Sequence, residues 1–216
     1  MKRKIASKFI IGIDEAGRGP LAGPVAVGVF AVRFDEARDI FKMFKAARDS
    51  KKMTPAGREE VFLAIKQAKK TSLVHFAVSF SSAKMIDEKG IVPAIRSALD
   101  RSLKKIERRV DLRTEGRPLQ ALDVCKVLLD GSLVAPARYK NQKTIIGGDD
   151  TEKVISLASI CAKVLRDHKM ARIAKKYPHY GFEIHKGYGT RAHYTAIKRL
   201  GPSPEHRKSF LAKIRS

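Results

Sequence analysis

The stretch that decides the fold is Ile10-Ile-Gly-Ile-Asp14-Glu15-Ala-Gly17-Arg18-Gly19-Pro20-Leu-Ala-Gly23-Pro24-Val-Ala-Val-Gly-Val29. A strand-like apolar run ends in two adjacent carboxylates, a glycine-rich turn follows at once, and a second apolar run begins after Pro24. Successive residues of a strand point to opposite faces, so Asp14 and Glu15 cannot both be buried in one apolar layer. Because buried carboxylates are costly unless a cation meets them, the stretch predicts either a Lys or Arg partner or a divalent metal ion at the strand end.

The composition is that of a folded and strongly basic protein. The 216 residues are 44% hydrophobic and 31% charged, which predicts a single domain with a core over about 1–176 and an extension over about 177–216. The net charge is +23, and the part from Lys163 onward holds 14 Lys+Arg against three acids. Such a localised excess favours a polyanion, most simply nucleic acid, although a basic surface that only aids solubility is the alternative.

Neither the N-terminal sequence nor the use of cysteine indicates export or membrane insertion. The N-terminus is basic, and the apolar run after it is short and interrupted by acids, which is typical of neither a signal peptide nor a membrane span. Cys125 and Cys161 each lie in an apolar run and are predicted to be small core residues in a reducing compartment. We therefore expect a cytoplasmic protein that makes no membrane contact.

Apolar periodicity predicts a sheet covered by helices. Strands are predicted over 9–13, 25–32, 73–80, 126–129 and 144–146, the last two as short buried strands. Helices are predicted to start at Thr54-Pro55 and to cover 91–110 and 152–176, with a loop over 111–120 and short helices and turns in the last forty residues. Strands followed by a mixture of helices and strands indicate an α/β fold with a central sheet.

Three of the predicted strands end in acids, namely Asp14/Glu15, Asp130 and Asp149/Asp150. Functional groups of α/β sheets gather at strand ends, and carboxylates brought together there would repel by roughly 4 kcal/mol per pair at about 4 Å and an effective dielectric constant of about 20. Divalent cations relieve this repulsion, and two of them would stabilise the attacking and leaving oxygens of a phosphodiester. Oxygen ligands without a cysteine or histidine cluster favour Mg²⁺ or Mn²⁺.

Two of these acidic segments also have ordinary structural interpretations. Asp130-Gly131 alone is a common turn, and Asp149-Asp150 before Thr151 is compatible with a helix cap. The pattern of three acidic strand ends on a very basic chain is what favours a metal-dependent nuclease.

The same residues resemble the ribonuclease HII family, with the bacterial-type branch fitting best. The matching motifs keep their order along nearly the whole chain: Asp14-Glu15-Ala-Gly17-Arg18-Gly19-Pro20-Leu-Ala-Gly23-Pro24-Val, Asp49-Ser-Lys51-Lys52-Met-Thr54, Asp130-Gly131, Gly148-Asp149, Ile155-Ser-Leu-Ala-Ser159-Ile-Cys-Ala-Lys163-Val-Leu-Arg166-Asp167, Tyr180-Gly-Phe, His185-Lys186-Gly-Tyr188 and His206-Arg207-Lys-Ser-Phe210. The resemblance implies an RNase H-like fold, with a mixed five-stranded sheet whose first half is antiparallel, flanking helices and a C-terminal helical extension.

The resemblance also implies an activity. It would be an endonuclease that hydrolyses the RNA strand of RNA–DNA hybrids and cuts 5′ of single ribonucleotides in duplex DNA, leaving 5′-phosphates and serving ribonucleotide excision repair. The implied catalytic residues and ligands of a two-ion Mg²⁺ or Mn²⁺ site are Asp14, Glu15, Asp130 and Asp149. By register, Asp149 rather than Asp150 takes the fourth position.

Substrate recognition requires a sensor of the 2′-hydroxyl group, which distinguishes RNA from DNA. Glycines let the backbone approach a ribose closely, so Gly17-Arg18-Gly19 is predicted to be this sensor, with a plain tight turn as the alternative. Tyr188 resembles the family's tyrosine that packs against the sugar after the ribonucleotide. The other predicted substrate residues are Ser159 and five candidate phosphate contacts, Lys51, Lys52, Lys163, Lys186 and Arg207, whereas His185 and His206 are expected to be structural or to face phosphates.

The chain departs from the family pattern at two positions near the acids. Gly148 stands where the family has Lys and Ser132 where it has Asn, which affects local substrate contacts but removes no carboxylate. One alternative function is a junction resolvase. Another is a ribonuclease HIII, which usually carries an extra N-terminal domain and is less expected because the sequence has about a dozen residues before Asp14. A third is a noncatalytic nucleic-acid-binding module, which would not need all four acids. We expect a monomer, and the sequence leaves a sliding-clamp interaction open.

Overall fold

Five strands form one mixed sheet in the computed structural model, which describes residues 9–47, 50–110 and 125–212. The strands are β1 (Phe9–Ala16), β2 (Val25–Arg33), β3 (His75–Ser81), β4 (Cys125–Asp130) and β5 (Gln142–Ile145), in the spatial order β3-β2-β1-β4-β5. β2 pairs antiparallel with β1 and β3, whereas β4 pairs parallel with β1 and β5. The prediction of a mixed five-stranded sheet with an antiparallel first half is confirmed.

Nine α-helices surround this sheet within the described ranges. They are α1 (Ala37–Met43), α2 (Pro55–Lys70), α3 (Ala83–Lys89), α4 (Ile91–Glu107), α5 (Gly148–Thr151), α6 (Lys153–Lys176), α7 (Phe182–His185), α8 (Arg191–Leu200) and α9 (Lys208–Ala212). Because β1 alternates, Ile11 and Ile13 face the core that contains α4, while Ile10 packs on the core that contains α2 and α6. The sheet is thus covered on both faces.

Several helix ends follow from local sequence chemistry. Thr54 caps α2, since its hydroxyl oxygen accepts a hydrogen bond from the Gly57 amide at 3.1 Å and Pro55 occupies the first helical position. Ser82 caps α3 in the same way, although neither α3 nor α1 was predicted. Both are seven-residue helices, too short for a periodic apolar pattern to stand out.

The last predicted strand is wrong in part. β5 ends at Ile145, and the Ile146 side chain is 92% exposed beyond it. β5 is also an exposed edge strand and not a buried one, because it has only β4 as a neighbour. The predicted loop over 111–120, Asp49 and the basic N-terminus lie outside the described residues.

The buried thiols agree with the sequence analysis, because Cys125 and Cys161 are both buried and unbridged. Within 9–47, 50–110 and 125–212, no helix combines the length and the apolarity that crossing a bilayer requires.

Candidate active site

Three carboxylates from three separate segments meet at one end of the sheet. Asp14 lies near the end of β1, Asp130 ends β4, and Asp149 lies in α5 directly after β5. Because β1 and β4 run parallel, their carboxyl ends lie side by side. One ligand oxygen from each of the three side chains lies within 4.8 Å of the others. The predicted convergence of distant acidic segments is therefore present.

The electrostatics of Asp14 are those of a carboxyl group that needs a cation. Asp14 is only 4% exposed. Burial raises its pKa well above the usual range, the charges of Glu15 and Asp130 raise it further, and a hydrogen bond with Ser159 lowers it. A divalent ion would offset both the desolvation and the repulsion.

The backbone orients the Asp130 carboxylate. The Asp130 Oδ1 accepts hydrogen bonds from the amides of Gly148 at 2.7 Å and Asp149 at 3.4 Å. A Cβ at Gly148 would lie 2.6 Å from the Ile155 Cδ1, the end of a side chain, and 3.5 Å from the Asp130 Oδ1. The departure from the family's Lys at this position thus coincides with tight packing. Three oxygen-donor side chains without a histidine or cysteine fit a hard divalent cation.

Glu15 and Asp150 lie outside this three-acid group, for different reasons. Strand alternation directs Glu15 away from Asp14, and its Oε1 accepts a hydrogen bond from the Arg18 Nη1 at 3.2 Å. Asp150 forms an exposed ion pair with Lys52 at 2.6 Å. The geometry therefore agrees with the choice of Asp149 over Asp150 and leaves Glu15 as a neighbour of the group.

The glycine turn begins three residues after Asp14, and main-chain hydrogen bonds join the segment that follows it to the loop of Tyr188. Gly17 has a φ of +89°, which favours glycine, and a methyl group at Gly19 would meet no atom within 4 Å. The Tyr188 side chain is 44% exposed. The amide of Leu21 donates to the carbonyl of Gly187 at 2.8 Å, so the turn and the Tyr188 loop are joined directly.

The prediction of a phosphate contact at Arg207 is wrong, because its side chain is fully buried. Its guanidinium instead donates hydrogen bonds at 2.6, 2.9 and 3.0 Å to the carbonyl oxygens of Gly17, Arg18 and Gly23. No phosphate can reach this group without displacing the turn that it holds.

The remaining predicted substrate residues occupy varied environments. Lys51 is exposed and donates to the Asp149 Oδ2 at 3.2 Å. Lys163 is mostly buried in an ion pair with Asp167 at 2.9 Å, and the Lys186 Nζ donates to the Glu183 carbonyl at 2.6 Å. Ser159 is buried, and its hydroxyl lies 2.8 Å from the Ser50 hydroxyl. It also forms a hydrogen bond with Asp14, so in this structure it contacts protein groups.

Arg166 is a buried residue to which the sequence analysis gave no role. Its side chain is fully buried, and it donates at 3.0, 3.4 and 3.0 Å to the carbonyl oxygens of Pro24, Ala22 and Lys186. The sequence feature that could have indicated this buried role is the position of Arg166, four residues after Ala162 on the buried face of α6. An arginine on an apolar helix face needs buried acceptors.

Two buried histidines, His193 and His206, form a hydrogen-bonded pair that binds the main chain at Tyr188. The His193 Nδ1 donates to the Tyr188 carbonyl at 2.9 Å, and the His206 Nδ1 accepts from the Ser203 amide at 2.9 Å. Consequently the His206 Nε2–H donates to the His193 Nε2, 3.0 Å away. Both rings are satisfied as neutral imidazoles, which agrees with the expected structural role of His206.

Acid is expected to destabilise this histidine pair. Burial lowers the pKa of His193 and of His206 to about 4, from 6.5. Between these values the unfolded chain binds more protons, so stability falls as pH falls, by at most about 1.4 kcal/mol per pH unit for each histidine. Urea unfolding from pH 7 to pH 5 measures this slope.

The control is His206→Gln, which keeps a donor towards His193 but does not titrate. We expect it to be less stable than the parent at pH 7 and to show a shallower loss of stability on acidification. An equal pH slope in parent and variant would refute the assignment.

Comparison with known proteins agrees with this geometry. The family model for ribonuclease HII matches residues 11–214. A ribonuclease HII from Caldicellulosiruptor bescii is 40% identical over 209 residues, which cover 97% of this chain and 89% of the relative.

Two solved structures share the fold. The ribonuclease HII of a complex with PCNA from Archaeoglobus fulgidus has a TM-score of 0.68 at 22% identity, with 96% of this chain and 97% of that chain covered. Bst-RNase HIII, solved in complex with Mn²⁺, has a TM-score of 0.63 at 17% identity, with 97% of this chain and 71% of that chain covered. The expected RNase H-like fold is confirmed, and the match along nearly the whole sequence shows that the chain belongs to the ribonuclease HII family.

Proposed function

We propose that this ribonuclease H cuts 5′ of single ribonucleotides embedded in duplex DNA, in addition to hydrolysing the RNA strand of RNA–DNA hybrids, and thereby serves ribonucleotide removal during replication and repair. Family membership supports ribonuclease H activity on hybrids. The observation that carries the proposal is the convergence of Asp14, Asp130 and Asp149 near a glycine turn that is open at Gly19.

The acidic group is proposed to hold two Mg²⁺ or Mn²⁺ ions, with Glu15 as the fourth carboxylate. Such ions, when bound, supply Lewis-acid stabilisation to the attacking and leaving oxygens of a phosphodiester. The protein's part is to hold the carboxylates in place before the substrate arrives. The Gly148 amide fixes Asp130, and burial together with Ser159 fixes Asp14, so little reorganisation is needed during the reaction.

Discrimination against DNA is proposed to come from the Gly17–Gly19 turn and Tyr188. The open space over Gly19 lets a sugar approach the main chain, and a main-chain group within hydrogen-bond distance can then report the 2′-hydroxyl. The exposed Lys51 and Lys52 are proposed to contact phosphates of a substrate bound at the acidic group. They lie next to this group, because Lys51 pairs with Asp149 and Lys52 pairs with Asp150.

Tyr188→Phe is expected to lower the preference for a ribonucleotide about tenfold, because the loss of one hydrogen bond costs about 1–1.5 kcal/mol. The acidic group stays intact, so hydrolysis itself persists. The measurement is the product of kcat/KM on a single-ribonucleotide duplex and the Ki of its all-DNA twin as a competitor, which increases with the preference for a ribonucleotide. Tyr194→Phe, which removes a hydroxyl from a similarly exposed tyrosine, is the control, and an unchanged preference in Tyr188→Phe would remove this residue from the sensor.

One assay tests the proposed function. Labelled duplexes with one ribonucleotide, with only DNA, with a full RNA–DNA hybrid and with a branched DNA junction are incubated with the protein in Mg²⁺ and in Mn²⁺. We expect cleavage of the first and third, 5′ of the ribonucleotide in the first, with 5′-phosphate products. Cleavage of the junction without ribose would favour a resolvase, and binding without cleavage would favour a noncatalytic module.

A further inference from the structure

Two buried arginines, Arg166 and Arg207, bind the backbone of the glycine turn and of the segments next to it. Within the described residues, the hydrogen bonds of both guanidinium groups all go to main-chain carbonyl oxygens. Between them they hold the carbonyl oxygens of residues 17, 18, 22, 23, 24 and 186. A planar guanidinium with several fixed donors is suited to bridging separate backbone segments in this way.

Arg166 also lies close to both elements that are proposed to contact ribose. A Cβ at Gly17 would lie 1.9 Å from the Arg166 Nε, so the turn rests directly on this side chain. The central carbon of the Arg166 guanidinium also lies 5.8 Å from the centroid of the Tyr188 ring. One buried side chain thus lies next to both Gly17 and Tyr188.

The arrangement is electrostatically expensive for a structure that only has to hold a turn. Burial lowers the pKa of both guanidinium groups, and the charge of Arg166 lowers that of Arg207 further. The Arg166 Nη1 is buried, and no described residue accepts a hydrogen bond from it. A buried donor without a partner costs about 1–3 kcal/mol and calls for an explanation.

We propose that Arg166 and Arg207 are positioning residues that set the spacing between the Gly17–Gly19 turn and Tyr188, and thereby the preference for a ribonucleotide over a deoxyribonucleotide. The proposal rests on the proposed function of those two elements. Neither arginine touches the substrate: both act through the backbone that they hold, and a displacement of about 1 Å at such a site can cost about a hundredfold.

Arg207→Lys and Arg166→Lys test the proposal. Lysine keeps the positive charge but cannot bridge several carbonyls in a fixed plane. We expect kcat/KM on a single-ribonucleotide duplex to fall at least tenfold, while the Ki of the all-DNA twin as a competitor changes by less than threefold. Each measurement is made well below the Tm of the variant, and Arg166→Lys carries the test if Arg207→Lys does not fold.

Arg58→Lys is the matched control. Arg58 is also buried and also holds backbone, with its Nη1 donating to the carbonyls of Ser50 at 2.7 Å and Met53 at 2.6 Å. We expect it to lower the Tm and to leave unchanged the product of kcat/KM and Ki, which measures the preference for a ribonucleotide over DNA. If the Arg166 and Arg207 variants bind both duplexes more weakly in parallel, or have a lower Tm with an unchanged product of kcat/KM and Ki, these residues are structural supports only. A parent protein without any ribonucleotide preference would instead refute the proposed function.

Discussion

Asp130→Asn is expected to reduce kcat by about a thousandfold or more in both Mg²⁺ and Mn²⁺, equivalent to about 4 kcal/mol of barrier. The substitution removes one of the three converging negative charges and so weakens the hold on any divalent cation. It preserves shape, because the Asn oxygen can still accept the Gly148 amide that now reaches the Asp130 Oδ1 at 2.7 Å. We therefore expect the Tm to equal or exceed that of the parent, since repulsion with Asp14 is relieved.

Single-turnover cleavage of a hybrid, together with thermal unfolding, checks this prediction. Asp150→Asn is the matched control, because Asp150 is the neighbouring acid that pairs with Lys52 outside the three-acid group. Its rate should stay within about threefold of the parent rate, as for most surface changes away from a site. Near-parental turnover of Asp130→Asn would show that this carboxylate does not take part in the reaction.

Gly12→Ala is expected to destabilise the protein by about 3 kcal/mol or more, which corresponds to a fall in Tm of about 6–12 °C for a chain of this size. A Cβ at Gly12 would lie 2.1 Å from the Val154 carbonyl oxygen of α6. β1 cannot move aside, because β2 and β4 hold it on both edges. α6 would have to lift off the strand that carries Asp14, and activity should be lost at a lower temperature than in the parent.

Thermal and urea unfolding measure the effect. Gly19→Ala is the control for stability, since it makes the same chemical change where the new methyl group would meet no atom within 4 Å. We expect its free energy of unfolding to stay within about 0.5 kcal/mol of the parent value. Equal stabilities of the two variants would mean that α6 does not pack on Gly12 as the structure describes.

The elements that the sequence predicted well are those whose cause is local. The Thr54-Pro55 start of α2 depends on one hydroxyl and one fixed φ. Four of the five predicted runs became β1 to β4 close to the predicted bounds, and the fifth agrees with β5 only in part, because neighbouring residues set a strand pattern. Short elements were missed or misplaced because their local pattern carries too little information. α1 and α3 offer too few residues for a period to be recognised, and the burial of β5 depends on its place at the sheet edge.

By itself, the sequence determined the chemistry that is available: the acids at the ends of β1 and β4 and after β5, the glycine turn, and the excess of positive charge. Only the tertiary structure decided which of these groups meet. Parallel pairing of β1 with β4 joined Asp14 to Asp130, strand alternation turned Glu15 towards Arg18, and burial converted Arg207 from an expected phosphate contact into a support for the turn. The physical reason is that the partners of a buried charge lie far away along the chain, so their identity depends on long-range packing and not on local sequence pattern.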